Sequence, residues 1–267
     1  MRLVPLLLVL LACAWAARAE PPRSLFLEEL TWTEVRAATA AHMTTILVPI
    51  GGTEQSGPHM ALGKHNVRAR YFAQKIAAAL GNALVAPVVS YVPEGSENPP
   101  AGHMRFPGTI TIPEDVFEKT LESAAEGFRL HGFRNIVFLG DHGGYRKSLE
   151  RVVERLNAEF LKAKSGVRAY APAEYYDAAT RGFAELLRKK GYTEAQIGVH
   201  AGLADTSLML AVDPSLVRED RLGAPTKGPA DGVRGDPARA SAELGRLGAD
   251  LVVEKTVEAI RQATAHR

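Results

Sequence analysis

The residues best equipped for chemistry sit in a few short stretches. The first is Ile46 to Asn66, ILVPIGGTEQSGPHMALGKHN, where a strand-like apolar run ends at Gly51-Gly52 and a polar loop carries Glu54, His59 and His65. Asp141-His142-Gly143-Gly144 follows a second apolar run, and His200-Ala201-Gly202 precedes Asp205. A loop from Tyr91 to Thr109 adds Glu94, Glu97 and His103. Imidazoles and carboxylates in loops at the carboxyl ends of strands are the donors of a hydrolytic metal centre, which needs about three N or O ligands and one open position. Glu54, His65 and His142 are the candidate ligands by residue type, and an imidazole-rich set with one carboxylate suits zinc, with iron or manganese as alternatives. Each residue also has a plainer role open to it. Glu54 could cap the following turn, Asp141 the helix after it, and His200 could bond backbone at a helix start. His65, beside Lys64, could belong to a solvated loop.

Taken in order, these motifs resemble the creatininase (creatinine amidohydrolase) family. Glu54, Gln55, Gly57, Pro58 and His59 match its G-x-x-E-x-H-G-x-H-L-P pattern, and Phe106 to Thr109 matches its FPGT. Asp141 to Gly144 resembles N-G-H-G-G, and His200 to Gly202 with Thr206-Ser207 resembles H-A-G-E-x-E-T-S. Gly232-Val233, Gly235-Asp236-Pro237 and Glu243-Leu244-Gly245 resemble G-V-x-G-D-P and its trailing E-x-G. The resemblance implies an α/β fold, a three-layer αβα sandwich on a mostly parallel sheet. It also implies metal-dependent hydrolysis of an amide C–N bond and a homo-oligomer.

Residue by residue, the resemblance implies that Glu54 and His142 ligate metal, that His59 shapes the substrate pocket, and that His200 protonates the departing nitrogen. The loop with Glu97 and His103 leads to the mouth, so both are expected to contact substrate. The departures are specific. Ser56 stands where the family has a ligand His, His65 where it has a bridging Asp, and Gly140 and Tyr145 flank the motif at 141–144 in place of Asn. Family members hold two metals; with Ser56 in place of a ligand, one ion is expected here. His59 could replace the donor missing at Ser56, Asp141 could restore the carboxylate lost at position 65 and is a catalytic candidate, and Asp205, a shortened Glu, either ligates the metal or orients a ligand.

The elements that must position these groups follow from periodicity. Buried-type strands are expected at Thr45–Ile50, Ala83–Val89, Asn135–Leu139 and Val167–Ala171. Helical stripes run through Phe72, Ile76 and Leu80 and through Phe117, Leu121, Ala124 and Phe128, the second entered by a Thr111–Glu114 capping box. Further helices are expected over Arg146–Lys164, Glu174–Lys190 and Arg239–Thr264. Such alternation argues a parallel sheet covered on both faces. The Gly- and Pro-rich loop Arg221–Ala238 is assigned a structural role.

Residues 1–19 read as a signal peptide, with Arg2, the apolar run Leu3–Leu11 and an A-x-A site at Ala17–Ala19. Residues 20–267 then form one α/β domain, periplasmic or secreted, and free of membrane unless Cys13 is lipidated. Cleavage removes the chain's one cysteine, so no disulfide or thiol nucleophile is left. The whole chain has 32 Lys+Arg against 30 Asp+Glu; loss of Arg2 and Arg18 balances them, which excludes an electrostatic case for nucleic acid. The expected function is an exported amidohydrolase in which a metal-bound hydroxide attacks a small cyclic or linear amide. A non-catalytic periplasmic binding protein on the same fold is the alternative.

Overall fold

Strand β1 (Thr45–Ile50) is buried at every position. A run apolar on both faces must lie inside a sheet that is covered twice. In the computed structural model, which describes residues 22–265, β1 pairs in parallel with β2 (Ala83–Val85) on one side and β3 (Asn135–Gly140) on the other. Strand β4 (Arg168–Tyr170) pairs in parallel with β3, giving the order β2-β1-β3-β4. The α/β sandwich expected from the sequence is the one observed.

Period-two alternation sorts the strand residues between two cores. Leu47, Val137 and Leu139 face a core with Phe72 and Ile76 of α2 (Lys64–Leu80), Leu208 of α8 (Leu203–Val212) and Val252 and Ile260 of α9 (Ala242–Ala265). Ile46, Val48, Ile50, Ile136 and Phe138 face the other, with Phe117 and Leu121 of α3 (Glu114–Leu130) and Val152 of α4 (Arg146–Lys162). Helix α1 (Trp32–Ala40), capped by a Thr31–Glu34 box, contributes Ala38 to that second core. No helix among the described residues is long and apolar enough to cross a membrane.

Several local expectations change. The strand at 83–89 stops at Val85: Ala86 N still donates to Leu47 O, but Pro49 of β1, next in line to donate toward this strand, has no N–H, and pairing resumes only as an Ile50–Val89 bridge. Likewise β4 is limited to Arg168–Tyr170, with Pro172 just beyond. The helix expected over Glu174–Lys190 is α5 (Ala173–Asp177), a π-helical stretch at Ala178–Gly182, and α6 (Phe183–Lys189). A short α7 (Glu194–Ile197) follows it. The capping box at Thr111–Glu114 does not form: Pro113 is the N-cap and offers no side-chain bond. Thr111 instead accepts from Glu94 N at 2.9 Å and donates to Gly95 O at 3.3 Å, while Glu114 accepts from Arg151 at 2.6 Å.

Helix α9 lies across α8 at a distance that only glycine permits. A Cβ on Gly245 would stand 1.8 Å from the Ser207 carbonyl oxygen. Gly245→Ala must therefore push the two helices apart, and it should destabilise the protein by about 1–3 kcal/mol. Urea denaturation checks this; an unchanged midpoint would mean that the helices are not packed this closely.

Candidate active site

Each functional side chain is placed by an element end. The chain leaves β1 through Gly51-Gly52, and Gly52 (φ 150°) passes so close to Glu94 that a Cβ there would lie 2.4 Å from its Oε1. Glu54 N then donates to Leu62 O at 3.1 Å, folding the loop back before α2 begins at Lys64. The first turns of α2 present Lys64, His65 and Arg68, all buried. Tyr145 OH lies 2.8 Å from both the Ile50 and Gly51 carbonyl oxygens and 3.1 Å from His142 N, tying the ends of β1 and β3 together. These groups meet at a cavity of about 540 Å³, lined among others by Gln55, Lys64, His65, His103, His142 and His200.

Glu54, fully buried, is the hub. Its Oε1 lies 2.8 Å from His65 Nε2, 3.6 Å from Lys64 Nζ and 3.8 Å from His200 Nδ1. Its Oε2 has no hydrogen-bond partner, yet lies 3.0 Å from His103 Nδ1 and 3.4 Å from His142 Nε2. An ion bonded at 2.0–2.1 Å in a tetrahedral site sets its ligand atoms about 3.3 Å apart. Glu54, His103 and His142 thus form a group that could hold a metal ion, all their candidate atoms lying within 4.8 Å of one another.

The other residues named from the sequence fall elsewhere. His65 has both ring nitrogens on carboxylates, Nε2 on Glu54 and Nδ1 on Asp141 Oδ2 at 2.6 Å, so neither nitrogen is free toward the His103–His142 position. Asp205 is held by Lys64, by Arg68 at 2.5 Å and by Ala201 N at 3.0 Å. Asp141 does not cap the following helix: it accepts from Arg68 at 2.8 Å and from Tyr175 OH at 3.0 Å. His200 Nε2 lies 3.0 Å from Gln55 O, leaving Nδ1 toward Glu54. His59 is buried away from the cavity with Nε2 on Thr206 Oγ1 at 2.9 Å, and Glu97 is exposed on its loop.

Several groups at the site carry no assigned role in the sequence reading. Glu94 sits beneath the site, buried, with both oxygens unpartnered and Oε2 3.5 Å from His142 Nδ1. Lys64 and Arg68 are a buried cationic pair; their i, i+4 spacing on a helix starting right after a donor-bearing loop was the available signal. The loop Arg221–Ala238 does more than lead to the last helix, since Pro229, Gly232 and Arg234 line the cavity.

Charge states follow from these contacts. Burial opposes ionisation of Glu54, but the His65 hydrogen bond and the charges around it hold the carboxyl well below the usual range. Burial, and next the Glu54 charge, push Glu94 up to about 9, so it is a neutral acid at pH 7. Burial also pushes His142 down to about 3, and His200 to about 4 with help from Lys64. His103 is lowered too, chiefly by burial. Neutral imidazoles are the state that metals bind.

The creatinine amidohydrolase family model matches residues 28–260. The chain belongs to the creatininase family. Creatinine amidohydrolase of Pseudomonas putida is 27% identical over 263 residues, covering 90% of this chain and 97% of the relative. The mycofactocin precursor peptide peptidase of Mycolicibacterium smegmatis is 30% identical over 212 residues, covering 76% and 73%. A crystal structure of creatininase superposes with a TM-score of 0.75 at 27% identity, covering 90% of this chain and 98% of that one. Zn-Zn and Mn forms of creatininase match equally well, each with a TM-score of 0.75. Membership makes the chain a hydrolase acting on C–N bonds and favours that reading over a non-catalytic binding protein.

The depressed imidazoles carry a pH signature. Because folded His200 sits at about 4 and an unfolded His near 6.5, the unfolded chain takes up the proton first as pH falls. Stability of the metal-free protein is therefore complete above about 6.5 and declines toward 4, with His142 extending the loss to about 3. Glu94 acts oppositely, its contribution fading as pH rises from the ordinary carboxylate range toward about 9. The melting temperature of chelator-treated protein should drop on acidification from pH 6.5 to 4, less steeply in His200→Gln. Parallel profiles for the two proteins would refute the assignment to His200.

Proposed function

We propose an exported amidohydrolase that uses one divalent ion held by Glu54, His103 and His142 to hydrolyse a small cyclic or linear amide. The observation that carries this is the orphaned Glu54 Oε2, buried and converged upon by two imidazole nitrogens. When bound, such an ion supplies Lewis acidity, polarising the scissile carbonyl and acidifying water beside it. Zinc suits the two imidazoles and one carboxylate, with manganese or iron as alternatives.

The chain's own residues divide the remaining work. Asp141 accepts from His65 Nδ1, which turns His65 Nε2 onto Glu54 Oε1 and leaves Oε2 for the ion. Gln55 Nε2, 3.0 Å from His103 Nδ1, occupies in the absence of metal the lone pair that a metal would take. Neutral at pH 7, His200 accepts a proton at Nδ1 before it can deliver one to the departing nitrogen, so it acts as base and then as acid. The cavity is large enough for a short peptide segment as well as a ring.

Elemental analysis of wild type and variants tests the ligand set. One ion per chain is expected in wild type, with none in Glu54→Ala, His103→Ala or His142→Ala. His65→Ala should retain the site with metal affinity weakened roughly 10–100-fold, as expected for a residue that orients a ligand. Retention of metal by His103→Ala together with loss in His65→Ala would reverse their roles. Screening the loaded protein on creatinine, other cyclic amides and short peptides identifies the substrate.

Export rests on residues 1–19, which lie outside the described residues, as does Cys13. A periplasmic product beginning at Glu20 would establish it, and light scattering would establish the homo-oligomer.

A further inference from the structure

We propose that Arg234 and Arg105 form a carboxylate-binding subsite at the mouth of the cavity, so that the amide hydrolysed here is one that carries a free carboxylate. The inference deepens the amidohydrolase reading and rests on it. Both side chains line the cavity and are exposed, while Glu54 is fully buried. Neither guanidinium has a carboxylate partner among the described residues; Arg105 Nε donates to the Gly102 carbonyl oxygen at 3.3 Å. The other cations on this cavity are already engaged. Arg68 pairs with Asp141 at 2.8 Å and with Asp205 at 2.5 Å. Lys64 pairs closely with Asp205, Arg181 with Asp177 and Arg188 with Glu194. Two unpaired guanidiniums on one cavity favour an anionic guest, and their planar fork of N–H donors matches a carboxylate.

The backbone fixes Arg234 beside His200. Arg234 N donates to His200 O at 2.8 Å, and the Arg234 carbonyl accepts from Val199 N at 2.8 Å. Glycine makes that approach possible: a Cβ on Gly198 would stand 2.1 Å from Arg234 O, and one on Gly235 would stand 2.7 Å from Gly202 Cα. The charge of Arg234 is close enough to bear on His103. Arg105 ends the Gly102–Arg105 turn that carries His103. One arginine is therefore tied to the proton carrier and the other to a candidate metal ligand. A carboxylate held by both leaves the remainder of a small substrate to extend inward, toward Glu54 and His142. Anchoring a group remote from the scissile bond orients the carbonyl for attack.

The probes are two pairs of small amides that differ in the charge of one group: 5-oxoproline and its carboxamide, and N-acetylalanine and its carboxamide. Their binding is measured by ligand-observed NMR on wild type, Arg234→Gln, Arg234→Lys and Arg105→Gln, zinc-loaded and after chelation, with zinc content determined alongside. Wild type is expected to bind each acid about tenfold tighter than its carboxamide, the difference made by one charge-assisted hydrogen bond. That preference should fall to about twofold or less in Arg234→Gln, weaken in Arg105→Gln and survive in part in Arg234→Lys. Where a probe is turned over, Arg234→Gln should raise KM with kcat nearly unchanged, a split that general loss of structure does not produce. Equal or no binding of acid and carboxamide by wild type overturns the proposal. So does an acid preference that survives in both glutamine variants, which would put the carboxylate on the metal or on Lys64. Absence of zinc from wild type overturns the metal reading instead, and the acid preference of the chelated protein still decides the role of the arginines.

Discussion

Everything at this site depends on a buried carboxylate whose two oxygens are used differently. Burying an ionised Glu54 costs several kcal/mol unless it is surrounded by hydrogen bonds and opposite charge. Oε1 receives that support from His65 and Lys64, and the charged form persists. Oε2 receives no hydrogen bond and is left facing two neutral imidazoles. An unsatisfied charged oxygen in that position is strained on its own terms and becomes favourable once a cation is present. That asymmetry also acts on the neighbours: burial, reinforced by the Glu54 charge, keeps Glu94 neutral.

The sheet makes this arrangement affordable. The ends of β1 and β3 lie side by side in register, Ile50 opposite Gly140, so the loops that carry Glu54 and His142 start from adjacent points. Helix α2 packs Phe72, Ala73 and Ile76 into the core, which fixes its axis and points its first two turns at the strand ends. Lys64, His65 and Arg68 are therefore held by the same packing that stabilises the fold. The binding groups sit on rigid elements except for His103, which comes from a short turn at Gly102–Arg105 within a long loop.

What could be read from the sequence divides along the same line. Strands β1 and β3 were legible because continuous apolar runs bounded by glycine have few other uses, and the donors at their ends, Glu54 and His142, came with them. The place of His103 beside Glu54 and His142 is not legible: it sits 49 residues from Glu54 in a loop whose path depends on tertiary contacts such as the Thr111 bonds to Glu94 and Gly95. The same holds for Glu94 and Glu97. Two carboxylates three residues apart in an irregular loop give no periodicity to separate the buried one from the exposed one. For His65, an imidazole bound by two carboxylates is indistinguishable in sequence from one bound to a metal.

Glu94 shows how the parts fit when a metal is considered. An imidazole that gives Nε2 to a metal must carry its proton on Nδ1, and metal-bound histidines usually pass that N–H to a carboxylate or carbonyl. In the structure His142 Nδ1 accepts from Gly144 N at 3.3 Å, so the ring is in the opposite tautomer, with its proton on the Nε2 side. Glu94 Oε2 waits 3.5 Å from Nδ1, and the other group its carboxyl meets is the Glu54 carboxylate. Burying a carboxyl against another carboxylate contributes little to stability alone. Its position makes sense as the acceptor that His142 requires once Nε2 turns from a proton to an ion. The same side chain explains the glycine at position 52, whose missing Cβ is the space that lets Glu94 approach.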